Sequence, residues 1–121
     1  MSLIRVIAKK IGKFATGIND LRLAQYMNNL TMEASKHPGY ISSNSHWEFN
    51  PNFNKQNYSV IGNIYTISDW KSQSHWDTWL NSGERKVIQS NFKDVIEQEE
   101  FTLLYVNKYK EDGTFLDPPL L

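Results

Sequence analysis

The chain has 121 residues, 13 basic and 13 acidic side chains, a formal net charge of zero and no cysteine. That length suits one domain with a core of its own. The missing cysteine excludes disulfides, cysteine zinc sites and thiol catalysis, and the balanced charge lacks the basic surplus of a nucleic-acid binder. No apolar run approaches the roughly 20 residues of a membrane span. The expectation is a cytoplasmic protein with no nucleic-acid or membrane partner.

In chain order, Leu3 to Lys10 reads as a first strand, rich in β-branched residues. The competing reading is a presequence, because Arg5, Lys9, Lys10 and Lys13 all precede the first acidic residue, Asp20. Gly12 to Gly17 is a loop, and Asn19 or Asp20 can cap a long helix. Leu23, Met27, Leu30 and Ala34 give that helix one apolar stripe, and Pro38 requires it to end by His37. Tyr40 to Phe49 is a second strand. The asparagine-rich NPNFNKQN that follows is a loop, and Tyr58 to Ile67 is a third strand. Ser72 caps a short helix through Leu80. Gly83 breaks it, and ERKVIQSNFKDVI continues as a helix with Val87, Ile88, Phe92 and Val95 on one side. Phe101 to Tyr105 is the last strand.

The order βαββαβ is that of an α+β, ferredoxin-like fold with a four-stranded antiparallel sheet. Residues 1–107 form the domain, and residues 108–121 form a C-terminal extension packing on the domain or on a partner subunit. Both faces of the third strand carry apolar residues, Ile61, Tyr65 and Ile67 on one and Ile64 and Trp70 on the other. Helices cover only one face, so a homodimer with apposed sheets is expected. Phe115, Leu116, Leu120 and Leu121 in the tail point the same way.

Pro38-Gly39-Tyr40-Ile41-Ser42 after a long helix, Trp70-Lys71-Ser72 after the third strand, and a helix bearing Trp76 and Trp79 resemble the antibiotic-biosynthesis monooxygenase family over about residues 3 to 107. The resemblance implies a dimeric α+β barrel. It also implies oxidation of a small aromatic or quinol-type compound by molecular oxygen, with no cofactor. Polyketide-oxidising members carry a histidine eight residues after the proline, here His46. They have Asn-x3-Trp at the end of strand three, where this chain has Thr66 and Trp70, and a tyrosine six residues further on, here Trp76. An arginine from the later helix completes their pocket. The aligned position is near Ser90, and Arg85 is the nearest arginine. A haem-degrading branch has a segment like Trp79-Leu80-Asn81-Ser82, but its iron-binding histidine falls on Gln89, and strand one has no asparagine. Haem binding is therefore the weaker implication.

Cofactor-free oxygenation needs a flat-ring site, a base and exclusion of water. His46 is the candidate base, Thr66 the hydrogen-bond donor to a developing oxyanion, and Trp70 the third catalytic candidate. Trp70 and Trp76 are assigned to a ligand wall that sandwiches the ring, while Trp79 is left in the packing. Asn63 and Tyr65 are further substrate-binding candidates, although strand parity turns Asn63 to the opposite face and both suit a dimer face. Core packing competes for each tryptophan, and a surface role competes for His46. His37 reads as structural and His75 as solvent-facing. Glu97, Glu99 and Glu100 read as a solvated acidic run. The three histidines lack ligand spacing, so no metal is expected. The alternative function is a non-catalytic, stress-associated protein that binds a small ligand and in which His46 points away from the cavity.

Overall fold

The computed structural model describes residues 3–12, 18–49 and 61–106. The extension from residue 108 and the loop over residues 50–57 lie outside them. Their elements are β1 (Leu3–Gly12), α1 (Ile18–Ala34), β2 (Tyr40–Phe49), β3 (Ile61–Trp70), α2 (Gln73–Leu80), α3 (Gly83–Asn91) and β4 (Ile96–Val106). The strands form one antiparallel sheet in the order β2-β3-β1-β4, which is the ferredoxin-like arrangement. Among the described residues, no helix is long and apolar enough to cross a membrane.

Strand alternation divides the sheet into two faces. Ile4, Val6, Ala8 and Lys10 of β1 are buried on one face, together with Ile64, Ser68 and Trp70 of β3. Helix α1 packs there with Leu23, Met27, Leu30 and Ala34 all buried, the stripe its spacing requires, and Tyr26 joins them. Trp76, Trp79, Ile88, Phe92 and Val95 complete the core. The other face carries Arg5, whose guanidinium donates to both oxygens of Asp69 at 2.8 and 3.0 Å.

The elements differ from the sequence expectation at several ends. Helix α1 begins at Ile18, so neither Asn19 nor Asp20 precedes it. Helix α3 ends at Asn91, and β4 starts at Ile96 rather than Phe101. Phe92 and Val95 are three apart in the intervening turn and both buried, so apolar spacing carries a helix reading straight through it. Val87 is 60% exposed, because the buried stripe runs through Arg85, Ile88 and Phe92 instead. Two serines set the helix starts. Ser72 Oγ accepts from His75 N, as expected, and Ser82 Oγ accepts from Arg85 N.

Candidate functional site: a tryptophan-walled cavity with a buried charge cluster

A cavity of about 40 Å³ lies between the sheet and the helices. Its wall includes Trp70, Trp76 and Trp79, with Thr66 and Ser68 from β3, Tyr40 and Ser43 from β2, Lys10 from the same face of β1, and Arg85 from α3. All three indoles are buried. Trp79, assigned to packing from its helical position, thus lines the cavity as well as the core.

The aromatic rings meet edge to face. Tyr40 contacts Trp70 at 5.5 Å between centroids, Trp70 contacts Trp76 at 5.9 Å, and Trp76 contacts Phe101 at 5.4 Å, with interplanar angles of 84°, 63° and 64°. This geometry suits the ring quadrupoles. It also closes the expected sandwich, because rings in mutual contact at 63° leave no slot for a third ring between them. A ligand would meet the edges of Trp70 and Trp76 that line the cavity. The Trp70 indole N–H is already occupied, donating to Ser68 Oγ at 3.0 Å. Thr66 shares a long hydroxyl contact of 3.4 Å with Ser45.

The other sequence candidates lie elsewhere. His46 is exposed and stands opposite Tyr65 in the β2–β3 register, whereas Thr66 stands opposite Ser45. A one-residue difference in a strand reverses the face, so His46 does not join Thr66 and Trp70. Asn63 and Tyr65 share the face with His46, and both donate to Glu48, at 2.8 and 3.3 Å. His75 is half-buried rather than solvent-facing, with Nδ1 2.7 Å from Ser72 Oγ. His37 packs its ring edge on Trp79 at 4.9 Å, a structural contact.

The acidic run is not a uniformly solvated one. Glu100 is exposed, but Glu99 points inward and forms a buried ion pair with Arg85, the two side chains 7% and 6% exposed. Glu99 also accepts from the Tyr26 hydroxyl and from Gln89 Nε2, the latter at 3.0 Å. Gln89, which stands where a haem ligand would fall, is thereby committed to the carboxylate. Burial alone would raise the Glu99 carboxyl, but Lys10, Arg85 and these hydrogen bonds hold it below its ordinary range. Tyr26 is pushed upward, by burial first and then by the Glu99 charge.

Lys10 completes the cluster. It is 3% exposed and stands directly opposite Glu99 in the β1–β4 register. Burial lowers its pKa to about 8, against the opposing pull of Glu99 and with a further push from Arg85. Among the described residues, no group of histidine and carboxylate side chains could hold a metal ion.

Fold and site together define a ferredoxin-like α+β protein with a polar-floored aromatic cavity. No family model matches the chain, and no curated protein matches its sequence significantly. Solved structures do. A conserved protein from Methanosarcina mazei Go1 is similar with a TM-score of 0.60 and 22% identity, covering 86% of this chain and 92% of that one. SnoaB, a cofactor-independent oxygenase from Streptomyces nogalater, gives 0.60 at 9% identity over 92% of this chain and 99% of its own. A dabb family protein with a ferredoxin-like fold from Mesorhizobium loti gives 0.61 at 10% identity over 86% and 96%. At such identities the likeness establishes the fold alone.

Proposed function

We propose that the chain binds a small electron-rich ring in the tryptophan-walled cavity and oxidises it with molecular oxygen, without a bound cofactor. The observation that carries this reading is the convergence of Thr66, Trp70 and Trp76 on one cavity whose far side holds Lys10 and Arg85. The activity named for the Streptomyces nogalater neighbour is of the same kind. A deprotonated phenol or anthrone can pass one electron to oxygen. Recombination of the radical pair then gives a peroxide. An anthrone-type methylene becomes a carbonyl as water leaves, and a quinol becomes a quinone with release of hydrogen peroxide. Thr66 donates to the developing oxyanion, and the indoles exclude water.

The cavity bounds the substrate. A dry cavity of about 150 Å³ takes benzene, and this one holds about 40 Å³. Ring binding therefore moves the wall, and a single ring is favoured over a fused polycycle. A second copy of the chain covers the open sheet face in this reading, which leaves Leu3 and Leu104 exposed on the lone chain.

Oxygen uptake over a panel of quinols and anthrones, corrected for autoxidation, tests the reading. Uptake that falls at least tenfold in Trp70→Phe and Thr66→Val supports it. Uptake equal to the buffer blank overturns it in favour of a non-catalytic binding protein, the alternative favoured by the position of His46 outside the cavity.

A further inference from the structure

The cavity wall contains a cation that has no ion pair and no side-chain hydrogen bond among the described residues. Lys10, Arg85 and Glu99 bring two cationic groups and one carboxylate together inside the protein. The carboxylate is fully engaged: Oε1 accepts from Tyr26 and Gln89, and Oε2 accepts from Arg85. Tyr26 reaches it from α1, and Gln89 and Arg85 reach it from α3. Lys10 stands directly across from Glu99 on the neighbouring strand. Yet among the described residues no carboxylate lies within 4.0 Å of its amine, and no side chain hydrogen-bonds it. Instead Lys10 lines the cavity. A buried lysine that lines a cavity, held only by the longer-range field of Glu99 and with no ion pair or side-chain hydrogen bond among the described residues, is an expensive feature in a fold, because burial disfavours its charged form strongly.

The surroundings of Lys10 define what would satisfy it. The other titratable groups around it are Tyr26 on α1, Arg85 on α3, Glu99 on β4 and Tyr40 on β2. β3 and α2 contribute only neutral side chains to the cavity wall, Thr66, Ser68 and Trp70 from the strand and Trp76 and Trp79 from the helix. Charged Lys10 leaves one positive charge in excess, and that excess lies beside hydroxyls able to donate to an oxyanion. Thr66 stands opposite Ala8, two residues from Lys10 on the same sheet face, so its hydroxyl flanks the amine diagonally.

We propose that Lys10 is the pocket's proton acceptor and anion partner, and that the ligand is an acidic hydroxyarene docking its O–H against the Lys10 amine. Toward and above pH 8, where Lys10 is neutral, the step is a single proton transfer: the ligand O–H bond breaks, the proton joins the amine, and an oxyanion remains paired with the new ammonium; at lower pH the ammonium is already present and the ligand proton leaves to solvent. An aromatic carboxylate could use the charge but not the transfer, because it arrives already ionised. The inference rests on the ring-binding reading above but not on oxidation. It moves the base from His46, on the wrong face, to a side chain already inside.

The test uses 4-nitrophenol, whose anion absorbs in the visible, and nitrobenzene, a neutral analogue of similar shape. Both are titrated into the full chain between pH 5.5 and 9 and followed by tryptophan fluorescence, with the phenolate band recorded in parallel. The expected result is that the nitrophenol pKa falls by at least one unit on binding. Lys10→Met should bind it at least tenfold more weakly with no such fall and hold nitrobenzene unchanged. The phenolate shift in the unaltered chain is read without any variant, so poor folding of Lys10→Met would not obscure it. Equal binding of the two probes by the unaltered chain, or an undiminished shift in Lys10→Met, overturns the proposal. Binding of neither probe overturns the ring-binding reading with it. Probe binding as expected without oxygen uptake leaves Lys10 in this role and removes only the oxidation.

Discussion

Gly39 and His75 occupy adjoining space so tightly that a Cβ on Gly39 would lie 2.2 Å from Cγ of His75. Gly39 also has φ of +84°, a conformation that costs other residues energy. Its carbonyl accepts from Lys71 N at 2.8 Å, while Ser72 holds the His75 ring. The Pro-Gly turn and the Trp-Lys-Ser turn, far apart in sequence, are thus two sides of one joint. Gly39→Ala should destabilise the fold by about 2 kcal/mol or more, combining backbone strain with the clash. His75→Ala should relieve the clash part. Urea unfolding of both single variants and the double variant measures this. Strict additivity would show that the two residues do not share space.

The buried Glu99 carboxylate sets an acid limit. Its pKa is depressed in the folded chain, so it adds stability above the unfolded value, about 4.3, that is lost as pH falls through the folded one. Glu99→Gln should cost roughly 3 kcal/mol at pH 7, the lower end for a broken buried pair, because Lys10 can discharge whereas Arg85 cannot. It should also flatten the stability profile below pH 5. Denaturant midpoints from pH 3 to pH 7 decide the matter, and an unchanged acid slope would place the acid-sensitive group elsewhere.

The charge cluster was legible in pieces that the sequence did not join. Lys10 continues the parity of Ile4, Val6 and Ala8. Glu99 shares the parity of Phe101 and Leu103. Arg85 precedes Ile88 by three residues on the stripe that continues to Phe92. Each charge therefore occupies a position that the apolar pattern assigns to the inside. What hid them was local company: Lys10 follows Lys9, and Glu99 sits between Gln98 and Glu100, so each looks like part of a solvated run. Only the strand register shows that the inward members of the two runs face one another. The α1 stripe and the strand order needed no such help, because periodicity and turn residues report them directly. The difference between His46 and Ser45 hangs on one residue of register, which the bulge between Tyr40 and Ser42 shifts and composition does not report.

That register separates two sets of variants. His46→Ala should leave ring binding and oxygen uptake within about twofold of the unaltered chain and change stability by less than about 0.5 kcal/mol, as expected for an exposed side chain. Thr66→Val keeps the volume but removes the hydroxyl from the cavity wall, and should lower uptake at least tenfold. A large loss in His46→Ala with a folded, stable protein would return the base to β2.

Lys10 sets the alkaline behaviour, and with the opposite sign to Glu99. Its folded pKa of about 8 lies below the unfolded value near 10.4, so folding expels a proton between these limits. The unfolded chain then binds more protons than the folded one, and stability must rise with pH from about 8 toward 10. Below that window the buried charge costs the fold roughly 3 kcal/mol, from the size of the shift. Lys10→Met keeps the length of the side chain and removes the charge. It should be more stable than the unaltered chain at pH 7 by up to that amount, and its stability should stay level from pH 8 to pH 9.5. The comparison must stop short of pH 10, where Tyr26, held protonated in the fold, begins to pull the profile the other way. Urea midpoints for both proteins across this range provide the measurement. Parallel profiles would mean that Lys10 keeps its ordinary pKa, and so has a partner or solvent access in solution.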